Sequence, residues 1–313
     1  MTLPRRTFVR LAASAAAVPA ISRFAWAHKD WAATDPSQPV RIVVGFAPGS
    51  SPDIVARLLG ESLSERLGRQ FIVDNRTGTA GNLATEAVVN AAPDGRTLLM
   101  VGPSSAIDAT LYDKLGFDFR RDIAPVATVV RSPNVMLVNR SVPARTVSEF
   151  IALAKADPGK LTMASAGVGT ATHLAGELFQ MATGTRMVHV AYRGGTGAYA
   201  DLIAGRADVY FPALTSARSY IKSGELRALA DFAPNDAADT WFGIGAPRNT
   251  PAAIVERLNR EINAALTDPT LAARLADGGS MVVTGSAADF GKLIADETAK
   301  WAKVIKLSGT ALS

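Results

Sequence analysis

The 313-residue sequence contains no cysteine. This absence excludes disulfide bonds, thiolate metal sites, iron–sulfur clusters and a cysteine nucleophile. It also excludes the lipid-modified cysteine that anchors many exported bacterial proteins. We therefore expect the mature protein to be freely soluble.

Histidine is scarce, with three residues in the whole chain. Neither His173 nor His189 is followed by a second histidine four positions later, so the helical zinc motif is missing. Phosphate-binding loops of the G-x-x-x-x-G-K-S/T type and G-x-S-x-G nucleophile elbows are absent as well. Gly167 and Gly169 begin a dinucleotide fingerprint, but Thr172 replaces its third glycine. We expect no cofactor, no metal site and no catalytic residue, with His173 capping or lining a helix start and His189 supporting a strand end.

The sequence also lacks an apolar run long enough to cross a membrane. Its candidate, residues 11–21, has about half of the roughly 20 residues that a transmembrane helix needs. This run follows Arg5-Arg6 and precedes Ala25-Trp26-Ala27, an order typical of a twin-arginine export signal with its cleavage site. We expect residues 1–27 to be a signal peptide cleaved after Ala27, and the remainder to be a soluble periplasmic protein.

A strong charge excess is missing once this segment is set aside. The full chain has a formal net charge of +5 at pH 7, and residues 1–27 contain four arginines and no acidic residue. Subtracting these four leaves a net charge of +1. The basic balance therefore belongs to the predicted signal, and it gives no support to a nucleic-acid partner.

Short apolar runs alternate with amphipathic stretches over the rest of the chain. Runs rich in Val, Ile and Leu predict strands covered by helices at residues 40–46, 71–74, 97–101, 126–138, 161–165, 187–192 and 209–211. Cap signals predict helix starts at Ser51-Pro52, Thr146 with Glu149, Thr250-Pro251, Asp268-Pro269 and Ser286 with Asp289. The alternation predicts an α/β protein with mainly parallel sheets, long enough for two domains.

Four turns after predicted strands are rich in small and polar residues. They span residues 45–53, 102–105, 165–170 and 192–197. Small residues at a helix start leave backbone N–H groups open to an anion, which the helix dipole also attracts. Ligands of open α/β sheets bind beyond the carboxyl ends of the strands, where these turns lie. The turns predict an anion site if they converge, although each alone is compatible with an ordinary loop.

Distinct sequence motifs extend over nearly the whole chain after the predicted signal. They include Phe46…Pro48-Gly49…Asp53, Asp74-Asn75-Arg76…Gly78…Gly81, Pro93-Asp94-Gly95, Ser165-Ala166-Gly167…Gly169-Thr170…His173, His189-Val190…Tyr192-Arg193-Gly194 and Ala246-Pro247…Thr250-Pro251. In combination they resemble the Bug family, the receptors of tripartite tricarboxylate transporters. The resemblance runs from Pro39 to Ile305.

This resemblance implies a two-lobed, flytrap-like fold related to type II periplasmic binding proteins, in which each lobe is a mixed, mainly parallel sheet flanked by helices. Residues 28–128 and 229–313 would form a discontinuous first lobe, and residues 129–228 an inserted second lobe. The implied function is to capture a small organic carboxylate between the lobes. A monomer would deliver it to membrane transporter subunits or to a sensor kinase.

Carried over position by position, the resemblance implies that turns of both lobes bind the ligand. The implied first-lobe residues are Phe46, Gly49, Ser50, Ser51, Asp53 and Ser104. Those of the second lobe are Ser165, Ala166, Gly167, Gly169, Thr170, His173, Tyr192, Gly194, Gly195 and Thr196.

The sequence departs from the family pattern at several places. Ser50 replaces a glycine and Ala47 a proline, which alters the backbone of the first turn. Pro212 stands where an aspartate is common, which favours a plain carboxylate over an amino acid. Segment 231–240 is shorter than in relatives, so a binding protein with impaired closure is one alternative. A small periplasmic enzyme that uses His173 with a serine or carboxylate partner is another.

Overall fold

In the computed structural model, residues 38–111, 115–232 and 239–308 are described, and their strands form two separate sheets. The strands are β1 (Val40–Val44), β2 (Phe71–Asn75), β3 (Thr97–Val101), β4 (Ile123–Ser132), β5 (Asn134–Asn139), β6 (Thr162–Ser165), β7 (Val188–Ala191), β8 (Val209–Tyr210), β9 (Leu226–Phe232), β10 (Thr240–Pro247) and β11 (Met281–Val282).

Helices follow most of these strands. They are α1 (Ser51–Leu67), α2 (Asn82–Val89), α3 (Pro103–Leu111), α4 (Phe119–Asp122), α5 (Val147–Ala156), α6 (Ala171–Thr183), α7 (Gly195–Ile203), α8 (Leu214–Lys222), α9 (Ala252–Leu266), α10 (Pro269–Asp277) and α11 (Ala287–Ser308). A 3-10 turn at Thr79–Gly81 precedes α2.

Each sheet forms the centre of one lobe, and the predicted two-lobed α/β fold is confirmed. The first lobe contains the six-stranded sheet, ordered β11-β4-β10-β3-β1-β2, and the second contains the five-stranded sheet, ordered β7-β6-β8-β5-β9. The chain changes sheet at Pro133 and returns between Phe232 and Thr240. The lobe boundaries at 128/129 and 228/229 stay a prediction.

The pairing within the sheets differs from a mainly parallel arrangement. Parallel pairs join β1 to β2 and β3 in the first lobe, and β6 to β7 and β8 in the second. The remaining pairs, all of which involve β4, β5, β9, β10 or β11, are antiparallel. Strand β4 carries the chain out of the first lobe and β10 carries it back. Because these two strands lie beside each other, they run in opposite directions.

The predicted helix starts are close to those observed. The first helix has Ser50 as its N-cap, one residue before the predicted Ser51. Thr146 Oγ1 accepts a hydrogen bond from the Glu149 N–H, and Asp268 caps α10 through the Thr270 and Leu271 N–H groups. Reciprocal bonds between Ser286 and Asp289 form the predicted capping box of α11.

The core of the first lobe also contains part of the second. Strand β10 is buried along its whole length, and Trp241 packs edge-on against Phe290 of α11. Leu174 of α6 belongs to the same apolar cluster as Ile107 and Trp301. The second lobe is therefore attached to the first through α6 as well as through the two chain crossings.

In the part of the chain that the structure describes, no helix combines the length and the apolar character that crossing a membrane requires. The predicted signal at residues 1–27 lies outside the described residues, as does most of the shortened segment 231–240.

Candidate ligand-binding site

Six helices begin around one cavity between the lobes, which we call the inner cavity. Helices α1, α2 and α3 come from the first lobe, and α6, α7 and α8 from the second. The lining residues at these helix starts are Ser50, Ser51, Gly81, Pro103, Ser104, Thr170, Ala171, Gly195 and Ala213. Because the first N–H groups of a helix have no intrahelical partner, these starts present donors and positive dipole ends to the cavity.

The inner cavity is small and its described lining has no charged side chain. Its volume is about 80 Å³, room for about six water-sized groups. Apolar side chains, including Phe46, Leu99, Met100, Pro212 and Phe242, form much of the wall. An anion there would be held by neutral donors and helix dipoles, while the apolar wall suits a hydrocarbon body.

Ser50 provides an unpaired polar group in this lining. The residue is 8% exposed, and its Oγ has no hydrogen-bond partner. Although Ser50 is the N-cap of α1, its side chain does not make a capping bond. A buried hydroxyl without a partner costs about 1–3 kcal/mol, and an oxygen atom of a ligand in the cavity would remove this cost.

A second cavity adjoins the first, and we call it the outer cavity. Its volume is about 560 Å³, and it shares Gly45, Phe46, Ala80, Gly81 and Ala166 with the inner lining. The remaining lining comes from four segments, at Ala47 and at residues 77–79, 167–168 and 191–194. A ligand held in the inner cavity can therefore extend outward between the lobes.

The structure brings ten of the sixteen predicted site residues to these cavities. Those in the inner lining are Phe46, Ser50, Ser51, Ser104, Ala166, Thr170 and Gly195, and Gly167, Tyr192 and Gly194 join Phe46 and Ala166 in the outer lining. The predicted residues outside both linings are Gly49, Asp53, Ser165, Gly169, His173 and Thr196. Their geometry favours a structural role in the turns.

Asp53 stabilises the turn after β1 through a network of hydrogen bonds. Its carboxylate accepts hydrogen bonds from the Gly49 N–H at 2.8 Å, from Asn75 Nδ2 at 2.9 Å and from Arg57 at 3.0 Å. Burial acts to raise the pKa of Asp53, but these hydrogen bonds outweigh it and lower the pKa. Asn75 also donates to the Phe46 carbonyl at 2.9 Å. The network holds the turn that presents Phe46 and Ser50 to the inner cavity.

Two stacked histidines support the turn after β6. The rings of His173 and His189 lie 4.0 Å apart and are nearly parallel. His173 Nδ1 accepts a hydrogen bond from the Gly169 N–H, and His189 Nε2 lies 2.6 Å from Ser165 Oγ. Burial, with the neighbouring His189, lowers the pKa of His173 to about 4. Burial also lowers the pKa of His189. Both rings are therefore neutral at pH 7, which lets His173 Nδ1 accept the Gly169 N–H.

This pair predicts a loss of stability in mild acid. The ordinary pKa of His173 is 6.5, so below this pH His173 binds a proton in the unfolded chain but not in the folded protein. The free energy of unfolding therefore falls as the pH is lowered from 6.5 to about 4. The loss between pH 7 and pH 5 is about 2 kcal/mol, and His173→Gln should remove it while keeping an acceptor for Gly169. Urea unfolding at both pH values measures this. Burial raises the pKa of Glu177, and this shift increases stability as pH falls, in the unchanged protein and in the variant alike. Equal losses of stability in the two proteins would contradict the prediction.

The lobes touch each other at the mouth of the cleft. Thr196 Oγ1 lies 3.4 Å from the Pro48 carbonyl oxygen and donates to it. A Cβ added at Gly194 would lie 3.5 Å from the Cβ of Ala47. That distance is an ordinary contact. A Cβ at Gly169, in contrast, would lie 2.5 Å from Cδ2 of Leu111 in α3, so glycine at this position allows the two lobes to pack closely.

Several lining residues were missed by the sequence analysis. Ala80 and Gly81 line both cavities, and the motif Asn75-Arg76…Gly78…Gly81 was the signal that could have found them. The other missed residues of the inner lining include Thr85, Ser105, Thr172, Tyr199, Tyr210, Ser216, Thr240 and Phe242. Most of these lie inside helices or strands, where sequence alone predicts core packing.

Comparison with known proteins places the chain in a family. The family model described as "Tripartite tricarboxylate transporter family receptor" matches residues 55–238 and 233–310. Protein BugT of Bordetella pertussis is 32% identical over 299 residues, which covers 89% of this chain and 92% of BugT.

Solved structures agree with this assignment. R. palustris Rpa4515 with adipate superposes with a TM-score of 0.84 at 32% identity, covering 88% of this chain and 99% of that one. MatC from Rhodopseudomonas palustris with bound malate gives a TM-score of 0.80 at 27% identity, covering 87% and 100%. The resemblance noted from the motifs is therefore confirmed, and the chain belongs to the tripartite tricarboxylate transporter receptors of the Bug and TctC type.

Proposed function

We propose that this protein is a periplasmic solute-binding receptor that captures a small organic carboxylate in the inner cavity. The observation that carries the proposal is the convergence of six helix starts on a cavity whose described lining has no charged side chain. Such an arrangement favours a compact anion, which backbone donors and helix dipoles stabilise. The adipate and malate in the names of two similar structures support a carboxylate as the anion.

Export and delivery are part of the proposal. Residues 1–27 would direct the chain through the twin-arginine pathway and be removed after Ala27. The mature receptor would act as a monomer and present its ligand to the membrane subunits of a transporter or to a sensor kinase. Family membership supports the transporter, because the family is defined by receptors of such systems.

The ligand-binding residues of the proposal are the ten predicted residues that lie in the two linings. Ser50, Ser104 and Thr170 would contact the carboxylate in the inner cavity, since they lie at the starts of α1, α3 and α6. The buried residues behind these turns, Asp53 and His173, would position them. Pro212 lies in the inner lining, where it leaves the wall apolar and favours a plain carboxylate over an amino acid.

The enzyme alternative has one specific observation in its favour. Ser165 Oγ and His189 Nε2 lie 2.6 Å apart, a spacing compatible with a serine nucleophile and its base. However, Ser165 is completely buried and lines neither cavity, so a substrate in the cleft would not meet its hydroxyl. Binding without turnover is the better supported reading.

Ligand binding should raise the thermal stability of the protein. At a ligand concentration of about 100 times Kd, the native state gains about 2.7 kcal/mol, which corresponds to several degrees in Tm. The measurement is a thermal-shift screen of monocarboxylates, dicarboxylates, tricarboxylates and aromatic acids, followed by calorimetry and by recovery of the unchanged ligand. A folded protein that none of these acids stabilises would overturn the proposal, and consumption of the acid would support the enzyme.

A further inference from the structure

The outer cavity contains a cation that the capture of one carboxylate does not use. Arg193 lines it, and among the described lining residues it is the one with a charged side chain. The inner lining has none among its described residues. The described linings of the two cavities therefore contain a single charged side chain, which is positive and lies on the second-lobe wall of the outer cavity.

The Arg193 side chain has no ion-pair or hydrogen-bond partner in the described parts of the chain. Nearby arginines of the first lobe are held by carboxylates, Arg57 by Asp53 and Arg76 by Asp74. For Arg193 no ion pair and no side-chain hydrogen bond occurs within the described residues, and its side chain is exposed. A guanidinium without a carboxylate partner keeps its fork of N–H donors available for a planar anion.

The position of Arg193 in the fold also favours the binding of an anion. It directly precedes Gly194, the N-cap of α7, so Arg193 and the positive end of that helix belong to one wall of the outer cavity. Thr196 of the same segment contacts the opposite lobe at Pro48. An anion at Arg193 would therefore lie beside the contact where the lobes meet, and it would be partly shielded from water when they close.

The sizes of the two cavities determine which part of a ligand would reach Arg193. The inner cavity has room for a carboxylate and a few carbon atoms at its volume of about 80 Å³. A longer ligand can extend past Phe46 and Ala166, which line both cavities, into the outer cavity. The far end of an extended ligand thus enters the region that contains Arg193.

We propose that Arg193 recognises a second anionic group of the ligand, so that the receptor selects linear dicarboxylates over monocarboxylates of the same length. This inference rests on the proposed function, because it needs the first carboxylate to occupy the inner cavity. The inner cavity supplies affinity for a carboxylate in general, and Arg193 supplies the preference between acids.

The test compares each linear diacid from succinate to suberate with the monoacid of equal chain length, by calorimetry on the purified protein. We expect at least one diacid to bind about tenfold or more tightly than its monoacid, the effect of a charged hydrogen bond. Arg193→Gln should remove that preference by weakening the diacid and leave the affinity for the monoacid unchanged. Arg193→Lys should keep part of it, since the charge remains but the paired donors are lost.

Arg260→Gln is the matched control. It removes the same charge from an exposed arginine on α9, and Arg260 lines neither cavity. The control should leave both affinities as in the unchanged protein. Monoacids that bind as tightly as diacids at every length, or a diacid preference that persists in Arg193→Gln, would overturn the inference while leaving carboxylate capture intact. Failure of every acid to bind would instead overturn the proposed function and the inference with it.

Discussion

Ser50→Asp is expected to abolish carboxylate binding, with an affinity loss of about 100-fold or more. The substitution places a negative charge in the inner cavity, at the start of α1, where the ligand carboxylate would lie. Two unit charges about 4 Å apart repel each other by about 4 kcal/mol at the effective dielectric of a protein surface. Calorimetry with a carboxylate identified in the thermal-shift screen measures the loss.

Ser50→Asn is the control that isolates the charge. Asparagine has nearly the same size and shape as aspartate, and both are good N-cap residues, so each variant should fold with its α1 intact. We expect the affinity of the Ser50→Asn variant for the carboxylate to lie within about tenfold of that of the unchanged protein, because the asparagine amide can still donate to a carboxylate. Equal affinities of the Asp and Asn variants would show that the carboxylate lies elsewhere.

The same charge can be introduced from the other lobe. Thr170 is the N-cap of α6 and is 1% exposed, and its Oγ1 donates to the Gly167 carbonyl at 2.7 Å. Thr170→Glu should also abolish binding, and Thr170→Gln separates its charge from its size. If the first-lobe substitution removes binding and the second-lobe substitution does not, the ligand contacts only one wall of the cavity. That result would contradict capture between the lobes.

The local part of the site could be predicted from the sequence. Glycine and serine after an apolar strand indicate an open helix start, and such signals at residues 45–53, 102–105 and 165–170 led to Ser50, Ser104 and Thr170 in the inner lining. The first two of these turns converge because β1 and β3 are parallel neighbours, whose carboxyl ends meet at one edge. The third follows β6 of the other sheet, and its approach depends on how the two lobes pack. Local patterns thus identified the donors that the chain presents just after its strands.

The rest of the site depends on contacts between distant parts of the chain. Tyr199 and Ser216 hydrogen-bond to each other from α7 and α8, and both line the inner cavity. Phe242 lies on β10, which pairs with β3 more than a hundred residues earlier in the sequence. Sequence patterns predict that such residues are buried, but not that the buried surface faces a ligand.

Strand β10 shows why one central element was missed. Its sequence contains Gly243 and Gly245, and glycine inside a strand lowers strand propensity and often marks a close approach of another group. A Cβ at Gly243 would lie 2.3 Å from Phe290 and 2.6 Å from the Ala127 carbonyl oxygen. The packing of α11 and β4 against β10 therefore requires glycine at position 243, and this tertiary requirement outweighs the local preference.

A similar close approach gives the last prediction. Gly45 and Gly81 face each other at the junction of the two cavities, and both residues line both cavities. A Cβ added at Gly45 would lie 2.5 Å from the Gly81 Cα and 3.1 Å from its carbonyl oxygen. These are backbone atoms, so the clash cannot be relieved by turning a side chain. Either the turn after β1 or the start of α2 must move.

Gly45→Ala should therefore lower the free energy of unfolding and the affinity together. Overpacking of this kind costs about 1–3 kcal/mol, and displacement of Gly81 changes the shape of both cavities, so we expect an affinity loss of about tenfold or more. Urea unfolding gives the first quantity, and calorimetry on the folded variant gives the second. Gly116→Ala is the control, because Gly116 is exposed and a Cβ there would meet no atom closer than Glu86 Oε1 at 4.0 Å. If Gly45→Ala matched this control in both measurements, the two backbones would not be in contact in solution, and the junction of the cavities would be wider than the structure has it.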